Sequence, residues 1–320
     1  MTDQAWERSD VSQWPVREIE QAGSHPSLWL QEPDTGQRWL HKDTLIPANG
    51  NEQGEDWSEV VSTQVAILLG VPRADTRLCL RNGRRGSISK SVKPAGHDLN
   101  EGRVVLERTQ APGYFAHDEG NPGIDPARPD VKRPGHNLHN IRQALHGVDA
   151  PPEFCGPNAC GGFDVFAGYL LLDSLIANRD RHEHNWAVLT PQLTTSVERL
   201  SPTYDHASSL GYNLSDIKRE DLLGRAGGLQ GWAEKGTAWR FEHTDKPPTL
   251  VQHASQALLM CSGEGAAWWH ERLRALDLSP VLEALQGRAI PEMSEAAAKF
   301  AHDLLVLNLG RLRDAVHDRA

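Results

Sequence analysis

Asn178-Arg179-Asp180-Arg181-His182-Glu183-His184-Asn185-Trp186, followed by Pro202-Thr203-Tyr204-Asp205-His206, is the stretch on which the fold and chemistry of this chain turn. A nearly all-apolar segment, Phe163 to Ala177, interrupted by Asp164 and Asp173, runs into it as a helix. Two short strand candidates, Trp186 to Leu189 and Val197 to Leu200, are joined by the turn-like Pro191 to Ser196. The helix therefore delivers a loop bearing Asp180 and Asn185, and the hairpin returns the chain so that Asp205 lands beside them. Hard oxygen ligands from Asn and Asp suit Mg²⁺, which takes few protein oxygens and completes its shell with water and phosphate. Asp180 is then left to accept a hydroxyl proton. Phosphoryl transfer divides its labour this way, and it adds a lysine on a sheet to neutralise charge on the nucleotide.

Working outward, Trp29-Leu30, the turn Pro33-Asp34-Thr35-Gly36 and Arg38-Trp39-Leu40-His41-Lys42 read as a hairpin whose second strand carries that lysine. Trp57, Val60, Val61, Val65 and Leu68 fall at helical spacing before the stop Gly70-Val71-Pro72. Glu59 on this helix is placed to pair with Lys42 and aim its ammonium. Thr76 to Leu80 and Gly86 to Val92 read as further antiparallel strands, so residues 20–100 form a small sheet with one helix. After a polar loop at 108–136 the pattern is helical, over His136 to Leu145, Phe163 to Ala177, Thr249 to Cys261, Ala266 to Leu276, Pro280 to Leu285 and Ser294 to Val316, the last with Ser294 as N-cap. Taken singly, Lys42 is a strand-edge surface lysine and Glu59 a solvated helix residue; the convergence of Asp180, Asn185 and Asp205 gives them a role.

Asn178-x-Asp180-x-His182-x-x-Asn185 with Tyr204-Asp205 resembles the catalytic core of the HipA-like serine/threonine kinases, and Asp180-Arg181-His182-x-x-Asn185 is also similar to the catalytic loop of phosphatidylinositol kinases. The resemblance implies an α+β, two-lobed protein-kinase-like fold: a sheet lobe over 1–100 and a helical lobe over 101–320, with the catalytic loop at 178–185 and a metal-binding segment at 202–211. It implies ATP and Mg²⁺ as cofactors and a Ser or Thr of a protein as acceptor. Carried over by position, Asp180 resembles the catalytic base, and Asn185 and Asp205 the metal ligands. Lys42 resembles the ATP-binding lysine and Glu59 the glutamate of the conserved helix. Gly23 and Ser24 are similar to the phosphate loop, and Ser87 to Pro94, with Ser89 and Lys90, to the hinge that cups adenine. His182 is expected to brace the loop. The segment Gly23-Ser24-His25-Pro26-Ser27 departs from the family in lacking the lysine that often follows its glycine, and the chain has no room before Lys42 for the extra N-terminal subdomain of longer HipA proteins. An antitoxin or other regulatory protein is the partner the family suggests.

The 320 residues hold 33 Lys and Arg against 43 Asp and Glu, a net charge of −10. That balance argues against a broad phosphate-neutralising face, so no direct nucleic-acid binding is expected. Hydrophobic residues at 38% and charged residues at 24% describe a folded, soluble chain. No apolar run approaches the roughly 20 residues of a membrane span, and the N-terminus shows no secretory signal, so a cytoplasmic location is expected. The four cysteines read as reduced packing residues. Arg179 and Arg181 either contact phosphate or pair with carboxylates such as Glu183 at the surface. Readings left open are a lipid or small-molecule kinase of the same fold, a metal-dependent hydrolase using His182, His184, Asp180 and His206, and a silent ATP-binding module. The segment Pro112 to Gly135 is long enough to be a lid, a recognition insert or a disordered stretch.

Overall fold

The computed structural model describes residues 6–20, 27–48, 50, 52–117, 120, 122–193 and 196–317. Gly23 and Ser24, expected to form the phosphate loop, lie outside the described residues. The N-terminal part, up to Lys90, builds one sheet from β1 (Arg8–Asp10), β2 (Val16–Glu20), β3 (Ser27–Gln31), β4 (Arg38–Asp43), β5 (Thr76–Arg81) and β6 (Arg84–Lys90), in the order β1-β5-β6-β4-β3-β2. β1 runs parallel to β5 and the other neighbours are antiparallel.

The expected hairpin is present, with Leu30 opposite Trp39 and both buried in a small apolar cluster with Val11, Cys79 and Ile88. Its turn closes through the Gly36 N–H to Glu32 O at 2.9 Å, with Gly36 at φ 71°, a conformation glycine adopts without steric cost. β4 lies against β6 with Lys42 opposite Ser87. A Cβ at Gly86 would sit 2.3 Å from Lys42 O, so the glycine lets the two strands close where the lysine is carried.

Helix α1 (Glu55–Leu69) crosses behind the sheet and ends at Gly70, whose φ of 84° turns the chain into Val71-Pro72. It is buried on nearly every side, and its buried carboxylate Asp56 is paired, with Arg8 at 2.8 Å and Arg85 at 3.2 Å.

The second, larger part is mainly helical. A small sheet of β7 (His97–Glu101), β8 (Ala187–Pro191) and β9 (Arg199–Leu200) carries α2 (Gly102–Arg108) at one end. Helices α3 (Leu138–Ala144), α5 (Asp216–Gly224), α6 (Gly228–Glu234), α7 (Leu250–Met260), α8 (Gly263–Ala275), α9 (Ser279–Gln286) and α10 (Glu295–His317) surround α4 (Gly162–Ile176), all of whose residues are buried. The absence of a polar face on α4 is why its sequence is apolar all round. Ser294 caps α10 as expected, its Oγ accepting the Ala297 N–H at 3.1 Å.

Several elements differ from expectation. The strand after the catalytic loop starts at Ala187, because Trp186 turns into the core at 1% exposure and its indole fits against Gly102. The return strand shrinks from Val197–Leu200 to Arg199–Leu200. β7, α2, α5 and α6 lie in stretches whose sequence carries no clear apolar period. This α+β, two-lobed architecture is kinase-like. Among the described residues, no helix is long and apolar enough to cross a membrane.

Candidate active site

The 178–185 loop is held from beneath by a buried ion pair. Asp173, the carboxylate that interrupts the apolar helix, receives Arg181 Nε at 2.9 Å and Arg181 Nη2 at 2.8 Å, with both side chains about 2% exposed. Arg181 Nη1 then donates to Asn185 O at 2.5 Å, and Asn178 Nδ2 donates to Asp173 at 2.8 Å. Arg181 is thus a buried strut and not the surface or phosphate-contacting cation expected. A charge this deep persists only when paired and fully hydrogen-bonded, and here the pairing fixes the loop's curvature.

Above that strut, Asn185 Nδ2 donates to Asp180 O at 2.8 Å, so the two residues expected to act together are joined directly. The carboxamide oxygen of Asn185 takes no hydrogen bond among the described residues. The Asp180 carboxylate is engaged, contrary to the expectation of a free base: Arg240 Nε donates to its Oδ1 at 2.6 Å, and Nη2 of the same guanidinium lies 2.5 Å from that oxygen as an ion pair. Burial raises the Asp180 pKa above the usual carboxylate value, and the guanidinium offsets part of that rise.

Asp205 reaches this cluster because its segment is stitched to the turn after α1, with Thr203 N to Pro72 O at 2.9 Å and Ala74 N to Thr203 O at 2.8 Å. Asp205 itself has φ 60°, a conformation non-glycine residues adopt at a cost and one concentrated at functional sites. Lys42 Nζ donates to its Oδ1 at 2.8 Å, across 163 positions of sequence, and both side chains keep about a third of their exposure at 39% and 34%. Desolvation is the largest single influence and opposes both charges, but the neighbouring charges and hydrogen bonds together outweigh it: Asp205 is held below the usual carboxylate range and Lys42 above the usual ammonium range.

Glu59 is buried beside them, and the expected Lys42–Glu59 pair is replaced. Its Oε2 accepts the His206 N–H at 2.6 Å and its Oε1 lies 3.3 Å from His206 Nδ1, so the helix anchors the backbone next to Asp205 while Lys42 takes Asp205 itself. His206 Nε2 lies 3.0 Å from Thr203 Oγ1.

His182 Nδ1 accepts the His184 N–H at 3.2 Å, leaving Nε2 to face Asp180 Oδ2 at 3.9 Å. Desolvation, with Arg240 nearby, pushes the His182 pKa down to about 3, so the ring is neutral. His184 instead pairs with Glu101 at 2.5 Å, which raises its pKa. With the two imidazoles committed to different partners, no group of three or more metal-ligating side chains of the hydrolase type forms among the described residues. Ser89 and Lys90 end β6, where the chain crosses towards β7; Lys90 is exposed, and neither side chain is hydrogen-bonded to Lys42, Asp180, Asn185 or Asp205.

The donor set fits Mg²⁺. Asp205 is ionised and its Oδ2 takes no hydrogen bond among the described residues, so with the Asn185 carboxamide oxygen it offers two hard oxygens of the type the ion prefers. Sequence reasoning missed Arg240, Trp239 and Arg133, which come from distant loops with no motif around them. It passed over the pairing of Asp173 with Arg181, although a carboxylate inside an apolar helix already demands a buried cation.

No family model matches the chain, and no curated protein is similar to it. Solved structures do match. The proinflammatory kinase CtkA of Helicobacter pylori superposes with a TM-score of 0.71 at 17% identity, covering 98% of both chains. HipA from Shewanella oneidensis MR-1, in a toxin–antitoxin complex with HipB and operator DNA, gives a TM-score of 0.47 at 13% identity over 95% of this chain and 69% of that one. The likeness to CtkA extends end to end and establishes the kinase-like fold.

Proposed function

We propose that this protein transfers the γ-phosphoryl group of ATP to a hydroxyl, with Ser or Thr of a protein as acceptor. The observation that carries the reading is the Lys42–Asp205 ion pair at 2.8 Å, beside an Asp180 that Asn185 holds through its backbone carbonyl. A lysine from a sheet, one carboxamide and one carboxylate as oxygen ligands, and a second carboxylate converge, as phosphoryl transfer requires.

In this scheme the acceptor hydroxyl oxygen forms a bond to the γ-phosphorus while the bond to the β–γ bridging oxygen breaks. ADP leaves with that electron pair, and the hydroxyl proton passes to Asp180. Asn185 and Asp205 would hold Mg²⁺, which when bound would supply charge neutralisation on the phosphates. Lys42 turns from Asp205 to the nucleotide, Glu59 keeps the Asp205 backbone in place through His206, and His182 orients the base. Catalysis is mainly positioning and electrostatics, with no covalent enzyme intermediate.

The test is ADP formation and intact mass after incubation with ATP and Mg²⁺, with Asp205→Ala in parallel. Turnover is expected to fall at least about a hundredfold in the variant, a loss typical of removing one charged stabiliser from such a site, while its circular dichroism is unchanged. Equal turnover in the two proteins would overturn the assignment.

A further inference from the structure

Trp239 stands beside the catalytic loop with two guanidiniums over its ring, Arg240 at 3.9 Å and Arg133 at 5.4 Å from the centroid. Arg240 is committed to Asp180. Arg133 is half-buried; its carbonyl accepts the His136 N–H at 3.2 Å, but among the described residues its guanidinium has neither a hydrogen bond nor an ion pair. It also sits at φ 53°, a conformation that a bulky residue adopts only when its surroundings impose it. Two cations sharing one indole repel each other, and desolvation together with Arg240 lowers the Arg133 pKa. Glu183 and Asp180 supply only longer-range countercharge. A half-desolvated guanidinium without a hydrogen-bonding partner is costly to maintain, and a bound anion would offset that cost.

The arrangement is built and not incidental. The 132–136 segment, the end of the long loop after α2, is zipped to 240–243: Lys132 N to His243 O at 2.8 Å, His243 N to Lys132 O at 3.1 Å and Glu242 N to His136 O at 2.8 Å. Buried His136 places Nδ1 2.8 Å from Arg240 O, while its Nε2 receives the Trp186 indole N–H at 3.3 Å. Trp186 directly follows the catalytic loop. The loop after α2 therefore both presents Arg133 and fixes Arg240 against the base.

We propose that Arg133 and Arg240, gathered over Trp239, form an anion-binding subsite that selects an acceptor peptide with Asp or Glu beside the Ser or Thr to be phosphorylated. A general base must come within hydrogen-bond reach of the hydroxyl it deprotonates. A cation 2.5 Å from Asp180 is then within a neighbouring residue's reach of that hydroxyl. A carboxylate from the acceptor would draw Arg240 off Asp180 Oδ1, freeing the base when the correct peptide is bound, and would give Arg133 its missing partner. A short acidic segment matches two local cations, whereas a polyanionic membrane or nucleic acid would meet the −10 charge of the whole chain.

This inference rests on the kinase reading, and the experiment separates the two. Peptides with one central Ser in acidic, neutral or basic surroundings are phosphorylated by wild type, Arg133→Gln and, as a control for loss of a distant exposed cation, Arg288→Gln. Fluorescein-labelled Ala versions are titrated by anisotropy, which reads binding without turnover. The acidic peptide is expected to lead the neutral one by roughly tenfold or more in kcat/KM, the worth of a charge-assisted contact. Arg133→Gln should erase that lead mainly through KM and weaken anisotropy binding in step; Arg288→Gln should preserve both. Equal use of all peptides by an enzyme that forms ADP would overturn the subsite and leave the kinase reading standing. Arg133-dependent binding of the acidic peptide without ADP formation would sustain the subsite and overturn the kinase reading. Phosphorylation of phosphatidylcholine vesicles containing phosphatidylinositol 4-phosphate, with acidic peptides inert, would replace the peptide with a lipid.

Discussion

His182 and His253 are two imidazoles whose titration the fold shifts strongly. Desolvation takes both down from 6.5 to about 3, with Arg240 adding to the effect at His182 and His136 at His253. Their folded pKa values lie below the unfolded ones, so between about pH 6.5 and 3 the unfolded chain binds protons that the native chain refuses. Stability conferred by these two groups is complete above the unfolded value and declines as pH falls through that window. We expect both imidazoles to stay neutral by NMR from pH 8 to 5, and the urea midpoint to drop on going from pH 7 to 5. A His182 ring that titrates near 6.5 would show that the pocket around Asp180 is wetter than its packing indicates. The Lys42–Asp205 pair contributes at the opposite extremes, through Asp205 being lost in acid and Lys42 in alkali. Its partial exposure keeps its share of stability small, which suits a pair that must part for a nucleotide.

At the scale of elements, the catalytic loop is an extension of α4. Asp173 on the helix and Arg181 on the loop are both about 2% exposed and joined through two hydrogen bonds, and Arg181 carries Asn185. Removing one partner strands the other as a buried charge, so Asp173→Ala should cost about 3–5 kcal/mol, measured as a fall in the urea midpoint. The double variant Asp173→Leu with Arg181→Met should recover much of that stability, because an apolar pair needs no solvation. It should not recover activity, since nothing then holds Asn185 O. Recovery of both would reduce Arg181 to a packing residue. The same logic explains why Glu59 is worth burying on α1: it fixes His206, and through it the strained turn at Asp205.

For the molecule as a whole, Lys42 on the sheet and Asp205 on the larger part form a contact across the fold, and Thr203 adds backbone bonds to the turn after α1. A ligand that engages both sides should stabilise the entire chain. At a hundredfold excess over Kd, ATP with Mg²⁺ should add about 2.7 kcal/mol, on the order of 5 °C in Tm for a chain of this size. Asp205→Ala should lose most of that shift, as read by differential scanning fluorimetry with EDTA as the reference. An equal shift in EDTA would separate nucleotide binding from the metal and detach Asp205 from its expected role.

Residues close in sequence, or constrained by local periodicity, could be read directly from the chain. The hairpin bearing Lys42 announces itself through Asp34-Thr35-Gly36 between apolar runs, α1 through Gly70 and Pro72, α4 through an apolar run interrupted by Asp164, Asp173 and Ser174, and the loop through Asp180 and Asn185 set close behind it. Turn chemistry, helix stops and hydrophobic period are short-range effects, so the chain itself fixes them. Elements without period were hidden: β7 is polar apart from Leu99, and α5 draws its stability from the Ser215 cap and from packing. Partner choice was decided by tertiary structure. Lys42 had two carboxylates to meet and took Asp205 because Glu59 was drawn to the His206 N–H. Asp180 met Arg240, 60 residues further on, only because 132–136 and 240–243 zip together through backbone hydrogen bonds. Which charge meets which depends on desolvation and on distances of a few ångströms between remote segments, and these exist only once the whole chain has packed.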